Sequence, residues 1–244
     1  MFALKFAMKF ISLIPLWLVF LLTACTTPPV TVTEPDPLPA AAEDDEYWWY
    51  VRFRQPWPEG DDPAWYKDVL LADQVVAPVL AEFSESISLW RIHRRAARDG
   101  ASHQFSLIVR TTPATAARIN ARIAADPLVI DRLRRNTLEA VRYDDPAQPQ
   151  RPAIEDTSDR NWTPEMQRAW PHFIMGVSRL WLELIAELTV DAEPSTNLDT
   201  RYAAISADLD NLWLHQGGHA LLHHLSAVFG YREVNVVRRE RMRF

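Results

Sequence analysis

Apolar and polar residues alternate over residues 51–54, VRFR, directly after the aromatic run YWWY of residues 47–50. Val51 and Phe53 alternate with arginines, and this period of two predicts a half-buried β-strand. Two further strands, ISLWRIHRR and HQFSLIVRTT, are predicted on either side of the hairpin-turn signal Asp99-Gly100. The segment TLEAVRYD predicts a short fourth strand.

Helix-start signals separate these strands. Asp62-Pro63 predicts a helix with a kink near Pro78. Thr112-Pro113 starts another helix, which Asp126-Pro127 interrupts before starting a second piece. The resulting order, β-α-β-β-α-β over residues 47–143, predicts an α+β fold with a ferredoxin-like sheet and helices on one face.

Two long amphipathic helices are predicted in the second half of the chain. A proline- and acid-rich loop over residues 144–162 precedes a helix that Thr163-Pro164 starts and whose apolar residues recur at spacings of three and four. Asn197 predicts the start of a second such helix, and EVNVVRRERMRF predicts a C-terminal strand. We expect residues 163–244 to form an antiparallel helical pair and this strand, packed on the open sheet face as one domain.

The first 25 residues follow the pattern of an export signal. Lys5 and Lys9 precede an uncharged apolar run over residues 10–22, shorter than the ~20 apolar residues of a membrane-spanning helix. Small residues then lead to Cys25, the single cysteine among 244 residues. A positive start, a short apolar core and small residues before a cleavage point predict a secretory signal peptide over residues 1–24.

The motif Leu22-Thr23-Ala24-Cys25 resembles the lipobox of bacterial lipoproteins. This resemblance implies that Cys25 is lipidated through its sulfur, that the signal peptide is removed before it, and that the new amino terminus is acylated, with palmitate as a typical chain. Several such chains would anchor the protein durably. Thr26 in place of an aspartate implies, by the rule of that family, the outer membrane, facing the periplasm. The alternative is an ordinary signal peptide with an incidental cysteine.

Residues 25–46 are predicted to be a lipidated, disordered tether. Five prolines and six acidic residues lie between residues 26 and 46, which lack aromatic side chains, so this stretch cannot bury enough surface to fold. The chain has 26 basic and 32 acidic residues, and removal of the two lysines in the signal leaves 24 basic ones. This negative balance argues against a nucleic-acid partner. A single cysteine also excludes disulfides within the mature chain.

The candidate chemistry lies in LHQGGHALLHH, where His215, His219 and His223 are spaced by four residues. Adjacent members share one face of a helix and could bind zinc together with a third ligand, such as Asp208 or His172. The alternative is that these histidines form a hydrogen-bonded polar seam. No cofactor is therefore expected, with zinc as the alternative.

Two neighbouring features bear on this cluster. Gln216 stands where the HExxH motif of metalloproteases has its glutamate base. The pair Gly217-Gly218 is costly inside a helix, at ~1 kcal/mol per glycine, so it predicts a helix break or a place where another backbone approaches closely.

Arginines cluster on or beside the predicted strands. They are Arg52, Arg54, Arg91, Arg94, Arg95 and Arg98. The first four are the candidate binding residues, because guanidinium groups can bind a carboxylate-rich peptide or an anionic head group. The alternative is a solvated face neutralised by the chain's own acids. Four C-terminal arginines pose the same choice, with anionic lipid or a protein as partner: Arg238, Arg239, Arg241 and Arg243.

Residues 88–109, SLWRIHRRAARDGASHQFSLIV, resemble part of the thiopeptide-type bacteriocin biosynthesis domains. The matching positions are Trp90, Ile92, Gly100, His103, Phe105 and Leu107. The resemblance implies an α+β core followed by helices. This chain lacks the arginines usual after that histidine in the family, and a shared fold does not carry a function.

These observations favour a membrane-tethered, non-enzymatic lipoprotein of the cell envelope that binds a protein or peptide partner. The sequence contains neither a G-x-S-x-G motif nor a glycine-rich phosphate loop. Two alternatives remain open. One is a metal-dependent hydrolase built on the histidine cluster, and the other is a structural envelope protein.

Overall fold

Four β-strands form one sheet in the computed structural model, which describes residues 45–192 and 197–233. The strands are β1 (Tyr47–Gln55), β2 (Leu89–Ala96), β3 (His103–Thr111) and β4 (Ala140–Tyr143). The predicted signal peptide, Cys25, the tether as far as residue 44 and the C-terminal strand with its arginines lie outside the described residues. All described residues belong to one compact unit, Ala40–Phe244.

The strands lie in the order β2-β3-β1-β4, and every hydrogen-bonded pair is antiparallel. Phe53 of β1 lies opposite Phe105 of β3, which fixes the register at the centre of the sheet. Residues 97–102 connect β2 to β3 around Asp99, whose Oδ1 accepts hydrogen bonds from the backbone N–H groups of Ala101 and Ser102. The side chain of Asp99 thus closes the predicted turn.

The two faces of the sheet differ in polarity, because side chains alternate along each strand. One face carries buried apolar residues from the two central strands: Trp49, Val51, Phe53, Phe105, Leu107 and Val109. The other face carries a row of arginines: Arg52, Arg54, Arg91, Arg95 and Arg110. Only the first face can therefore bury the apolar stripe of a helix at little cost.

Seven α-helices are present in the described residues. They are α1 (Tyr66–Leu71), α2 (Ala77–Glu82), α3 (Pro113–Ala124), α4 (Pro127–Arg134), α5 (Pro164–Asp191), α6 (Leu198–Leu212) and α7 (His224–Val228). Four of them begin after predicted capping residues, whose side-chain oxygens accept backbone N–H groups: Thr112, Asp126, Thr163 and Asn197. None of the helices in this part of the chain is both long and apolar enough to cross a bilayer.

The first helix does not start at Asp62 as predicted. Residues 63–65 form a tight turn, in which the N–H of Trp65 donates to the carbonyl of Pro63 at 2.9 Å. The helix begins only at Tyr66, without a capping side chain. The aspartate-proline signal at this position therefore marks a turn.

A π-helical segment, Ala72–Val76, joins α1 to α2, and Pro78 lies in the first turn of α2. The phenol of Tyr202 in α6 donates a hydrogen bond to the Asp73 carboxylate and accepts one from Nε2 of Gln74 at 2.7 Å. Burial, and then the hydrogen bond to Asp73, raises the pKa of Tyr202. The phenol therefore keeps its proton. These two hydrogen bonds attach α6 to the π-helical segment between α1 and α2.

The predicted placement of α5 and α6 on the open sheet face is wrong. Ile185 of α5 and Ile205 of α6 are buried in the same core as Phe53. The ring of Trp181 lies 6.4 Å from that of Phe105, on the same face. The arginines on the opposite face explain the difference, because apolar stripes packed there would bury charged groups.

Helix α5 lies along the edge strand β2. The hydroxyl of Ser178 accepts a hydrogen bond from the backbone N–H of Ile92 at 3.1 Å and donates one to the carbonyl of Ile174 at 2.7 Å. An edge N–H that would otherwise be unpaired is satisfied in this way. The helix therefore extends the helical layer past the edge of the sheet.

The sheet face that carries the arginines, the basic face, also has a few apolar residues. The loop over residues 144–162 covers them. It contains a short 3₁₀ helix, Ile154–Thr157. The indole N–H of Trp48 donates to the carbonyls of Ala153 and Ile154, each at 3.1 Å. A small second core forms there between the sheet and the residues above it: Trp48, Leu89, Ile108, Ile154 and Met175.

Candidate functional site

A groove separates α5 from the wall formed by α6 and a second π-helical segment, Trp213–His223. At its base the groove reaches residues 92–94 of the edge strand β2. Its volume is about 540 Å³, within the ~300–1,000 Å³ of pockets that hold small ligands and cofactors. Apolar side chains from both walls dominate its lining, among them Ile174, Val177, Leu184, Leu209, Leu212 and Leu221.

The π-helical segment shapes one wall of this groove. Gly217 is buried, and an added Cβ there would lie only 2.6 Å from Cε3 of Trp213. The glycine thus leaves room for the indole of its own helix, whereas Gly218 faces open space. The predicted helix break is absent, because the π-helical segment continues through the glycine pair, and the close contact at Gly217 is with a side chain of the same helix rather than with another backbone. Widened helical turns of this kind often mark functional sites.

Arg94 brings a positive charge to the base of the groove. Its Nε donates to Oδ2 of Asp68 at 3.1 Å, and its Nη2 donates to the carbonyl of Trp65 at 3.1 Å. Its Cζ lies 4.9 Å from the ring centre of Trp65 and 5.0 Å from that of Trp181, which also lines the groove. Two indoles and one carboxylate therefore hold the guanidinium in place.

Behind Arg94 lies a buried acid–histidine pair. The side chains of Asp68 and His103 are fully buried, and Nε2 of His103 shares a hydrogen bond with Oδ2 of Asp68 at 3.3 Å, while Oδ1 lies 3.2 Å from the same nitrogen. The rings of Trp57 and Trp65 lie 6.5 and 4.9 Å from the imidazole. No described residue gives Nδ1 of His103 a hydrogen-bond partner. This polar layer fixes the carboxylate that in turn orients Arg94.

Arg94 is the basic side chain that lines the groove with a permanent charge, and it is paired on its inner side with the buried Asp68. Desolvation, and then the charges of Arg91 and Arg95, lowers the pKa of His93 at the groove rim, so its imidazole is mostly neutral at pH 7. Asp210 lines the groove too, but it is exposed and its charge is screened by solvent. The arrangement combines apolar walls with one held cation, which suits a ligand that is apolar along its length and anionic at one end.

The structure divides the predicted arginine set between the two sheet faces. Arg94 lies on the apolar face, away from Arg52, Arg54 and Arg91. Arg98 lies in the loop, with its Cζ 3.5 Å from the ring centre of Trp57. Sequence parity explains the division, because residues 91 and 94 are an odd number of positions apart on one strand.

The arginines of the basic face have partners within the chain. Arg52 pairs with Asp144 at 2.7 Å, Arg54 pairs with Glu139 at 3.0 Å, and Arg91 donates to the carbonyl of Thr157 at 3.2 Å. Arg95 pairs with Asp99, and Arg110 pairs with Glu46. These positions match the alternative of a face neutralised by the chain's own acids.

Asp144 is the most connected acid on this face. It accepts hydrogen bonds from Arg52, from Arg151 and from the backbone N–H of Tyr50. Burial alone would raise the pKa of the Asp144 carboxyl, but the hydrogen bonds from Arg52 and Arg151 outweigh burial and lower it. The loop over residues 144–162 is thus tied to β1 by a charged network.

The predicted metal-binding histidines lie in the π-helical segment and are exposed. The rings of His219 and His223 stack with their centres 5.0 Å apart, and His224 lies 5.1 and 5.4 Å from them. His215 takes no part in this ring cluster. Within residues 45–192 and 197–233, no three or more His, Cys, Asp or Glu side chains form a group that could hold a metal ion.

Asp68, His103 and Trp181 were not predicted as site residues. The available signal was parity: His103 shares the odd-numbered positions of β3 with the core residues Phe105 and Leu107. Asp68 likewise lies next to the buried residues of α1. A polar residue at a core-facing position needs a partner, and here the partners form the base of the groove.

No protein-family model matches the chain, and no curated protein matches it. Among solved structures, the crystal structure of TsrL is similar to it, with 15% sequence identity and a TM-score of 0.36. The similarity covers 76% of this chain and 49% of the TsrL chain, so this protein spans about half the length of TsrL. At this level the likeness carries no argument about function.

Proposed function

We propose that this protein is a lipid-anchored, non-enzymatic envelope protein whose groove binds a small amphiphile with a long apolar chain. The observation that carries the proposal is the groove itself: two helical walls of apolar side chains beside one held arginine. A long apolar chain buried there gains roughly 25 cal/mol for each Å² removed from water.

The helical walls favour an acyl chain over an extended peptide as the occupant. The backbone N–H and C=O groups of α5 and α6 are engaged within their own helices. A peptide laid between them would bury its own backbone groups without partners, which is costly. An acyl chain has no such groups. A protein or peptide partner, the expectation from sequence, is therefore an alternative outcome of the test.

The same proposal includes a ferredoxin-like arrangement of the sheet. The strand order β2-β3-β1-β4 and the antiparallel pairing support it. In this arrangement β2 is an edge strand, and α5 beside it leaves the base of the groove open to Ile92 and Arg94. The fold thus supplies a rigid floor for the ligand.

The anchor is tested by the mass of the native product. Protein purified from cell envelopes should begin at Cys25 and carry a thioether-linked lipid and an acylated amino terminus. Its fractionation should follow the outer membrane. Protein that still contains residues 1–24, or that carries an unmodified thiol at Cys25, would contradict the proposed lipid anchor. It would have no bearing on ligand binding in the groove.

The groove is tested by photocrosslinking the full chain, held in lipid nanodiscs, with palmitic acid that carries a diazirine on its chain. Labelled peptides should map to residues 174–184 and 209–221. Ala220→Trp fills the groove and should abolish labelling, whereas Ala207→Trp, on an exposed position of α6 outside the groove, should preserve it. Equal labelling of both variants, or labels spread over the surface, would refute groove binding.

A further inference from the structure

We infer that Arg94 binds the carboxylate of a long-chain fatty acid whose chain lies in the groove. This inference rests on the proposed function and adds to it the chemical class of the ligand and the residue that selects it. The contact is non-covalent, and the ligand head group lies at the β2 end of the groove, where Arg94 lines it.

Arg94 has donor capacity to spare. A guanidinium has five N–H donors. One donor on Nε is used by Asp68, and one on Nη2 is used by the carbonyl of Trp65. N–H groups on Nη1 and Nη2 therefore remain for a carboxylate, and the side chain keeps 28% of its surface exposed. Charge-assisted bonds of this type are among the stronger polar contacts in proteins.

The surroundings of Arg94 match the inference in shape and charge. The indoles of Trp65 and Trp181 hold the guanidinium, so little ordering is required when a ligand binds. An acyl chain bound between the apolar walls would exclude water from the contact, which strengthens it. The guanidinium already pairs with the buried Asp68, so a ligand carboxylate would share it through the remaining Nη donors, and the described lining of the groove has no unpaired cation for a second anionic group.

The experiment measures competition for crosslinking in the full chain in nanodiscs. Unlabelled palmitic acid and hexadecanol, which share an apolar chain and differ in the head group, compete with the diazirine probe. The ratio of their half-maximal concentrations is compared between protein variants, because partitioning into the bilayer is common to all of them. For the unmodified protein we expect the half-maximal concentration of palmitic acid to be about one tenth of that of hexadecanol, or lower still.

The variants assign this preference to Arg94. Arg94→Gln should bring the ratio close to one. Arg94→Lys keeps the charge beside Asp68 but loses the forked donors, and should reduce the ratio. Arg95→Gln, a neighbour on the opposite sheet face, should leave it unchanged. Circular dichroism verifies that each variant folds. If Arg94→Gln does not fold, the role of Arg94 is decided by comparing the ratio in Arg94→Lys with the ratio in the unmodified protein.

The outcomes separate this inference from the proposed function. Equal competition by acid and alcohol in the unmodified protein, or a preference retained in both Arg94 variants, overturns the role of Arg94 while groove binding stands. Absence of groove labelling by any probe overturns both. Displacement of the probe by an apolar peptide, but by neither amphiphile, would instead show a peptide-binding groove.

Discussion

Removal of the Arg94 charge tests the architecture at the base of the groove. In Arg94→Met the side-chain stem remains between Trp65 and Trp181, but the Asp68 carboxylate loses its cation. Asp68 has no exposed side-chain surface, and its remaining polar neighbour is the imidazole of His103, 3.2 Å away. A buried charge left in this way costs about 3–5 kcal/mol. Because Arg94 is partly exposed and His103 stays in place, we expect about 3 kcal/mol.

A double-mutant cycle isolates the interaction. The unfolding free energy of the full chain is measured by urea titration, followed by circular dichroism, for the unmodified protein, Arg94→Met, Asp68→Asn and the double variant. The amide introduced by Asp68→Asn is neutral and can still contact His103, so the double variant should be more stable than the sum of the single losses predicts. We expect a coupling energy of about 2 kcal/mol.

The matched control is Arg95→Met, one residue further along β2. Arg95 pairs with Asp99 at the protein surface, and such pairs contribute little to stability. The control should therefore unfold close to the unmodified protein. A coupling energy below about 0.5 kcal/mol, or equal losses for Arg94→Met and Arg95→Met, would refute the described role of Asp68.

Three further predictions concern other parts of the fold. Asp144→Asn should lower the free energy of unfolding by about 2 kcal/mol at pH 7. Because the folded-state pKa of Asp144 is lowered, this loss relative to the unmodified protein should persist above about pH 4. It should shrink in urea titrations at lower pH. Gly217→Ala should displace Trp213 and weaken probe crosslinking, whereas Gly218→Ala, in open space, should keep crosslinking and raise stability by up to about 1 kcal/mol; equal effects on crosslinking would contradict this account. Tyr202→Phe should lower the unfolding free energy by about 2 kcal/mol, and a loss under about 0.5 kcal/mol would show that the bond to Asp73 is dispensable.

The local parts of this structure could be predicted from sequence, because their causes are local. Alternation of apolar residues and arginines places β1, and an oxygen-bearing side chain before a proline marks the start of α3, α4 and α5. The same signal at Asp62 failed, since residues 63–65 turn before the helix begins. A capping signal fixes where a helix can start but does not exclude an intervening turn.

The position of α5 and α6 could not be predicted in the same way. Their position depends on which sheet face is occupied by ion-paired arginines and so cannot bury an apolar helix stripe. The acids in those ion pairs are far away in sequence, as Asp144 is from Arg52. The amphipathic stripes only required an apolar surface to pack against. The core face of the sheet offered such a surface next to the edge strand β2. There the hydroxyl of Ser178 in α5 accepts a hydrogen bond from the backbone N–H of Ile92 in β2.

The candidate site also arises from distant segments. Arg94 in β2, Trp181 in α5 and Gly217 in the π-helical segment meet only in the folded chain. The sequence showed Arg94 as one of six arginines, and at the glycine pair it pointed to a helix break or a close approach of another backbone. What distinguishes Arg94 is its position on the core-facing side of β2, beside the buried Asp68. Parity along the strand was the usable signal.

Fatty-acid binding at Arg94 is tested most directly by a structure of the full chain determined with palmitic acid bound. We predict the acyl chain between α5 and the π-helical segment, with a carboxylate oxygen about 2.7–2.9 Å from an Nη atom of Arg94. An empty groove at saturating palmitic acid, or a carboxylate turned to solvent away from Arg94, would contradict this prediction.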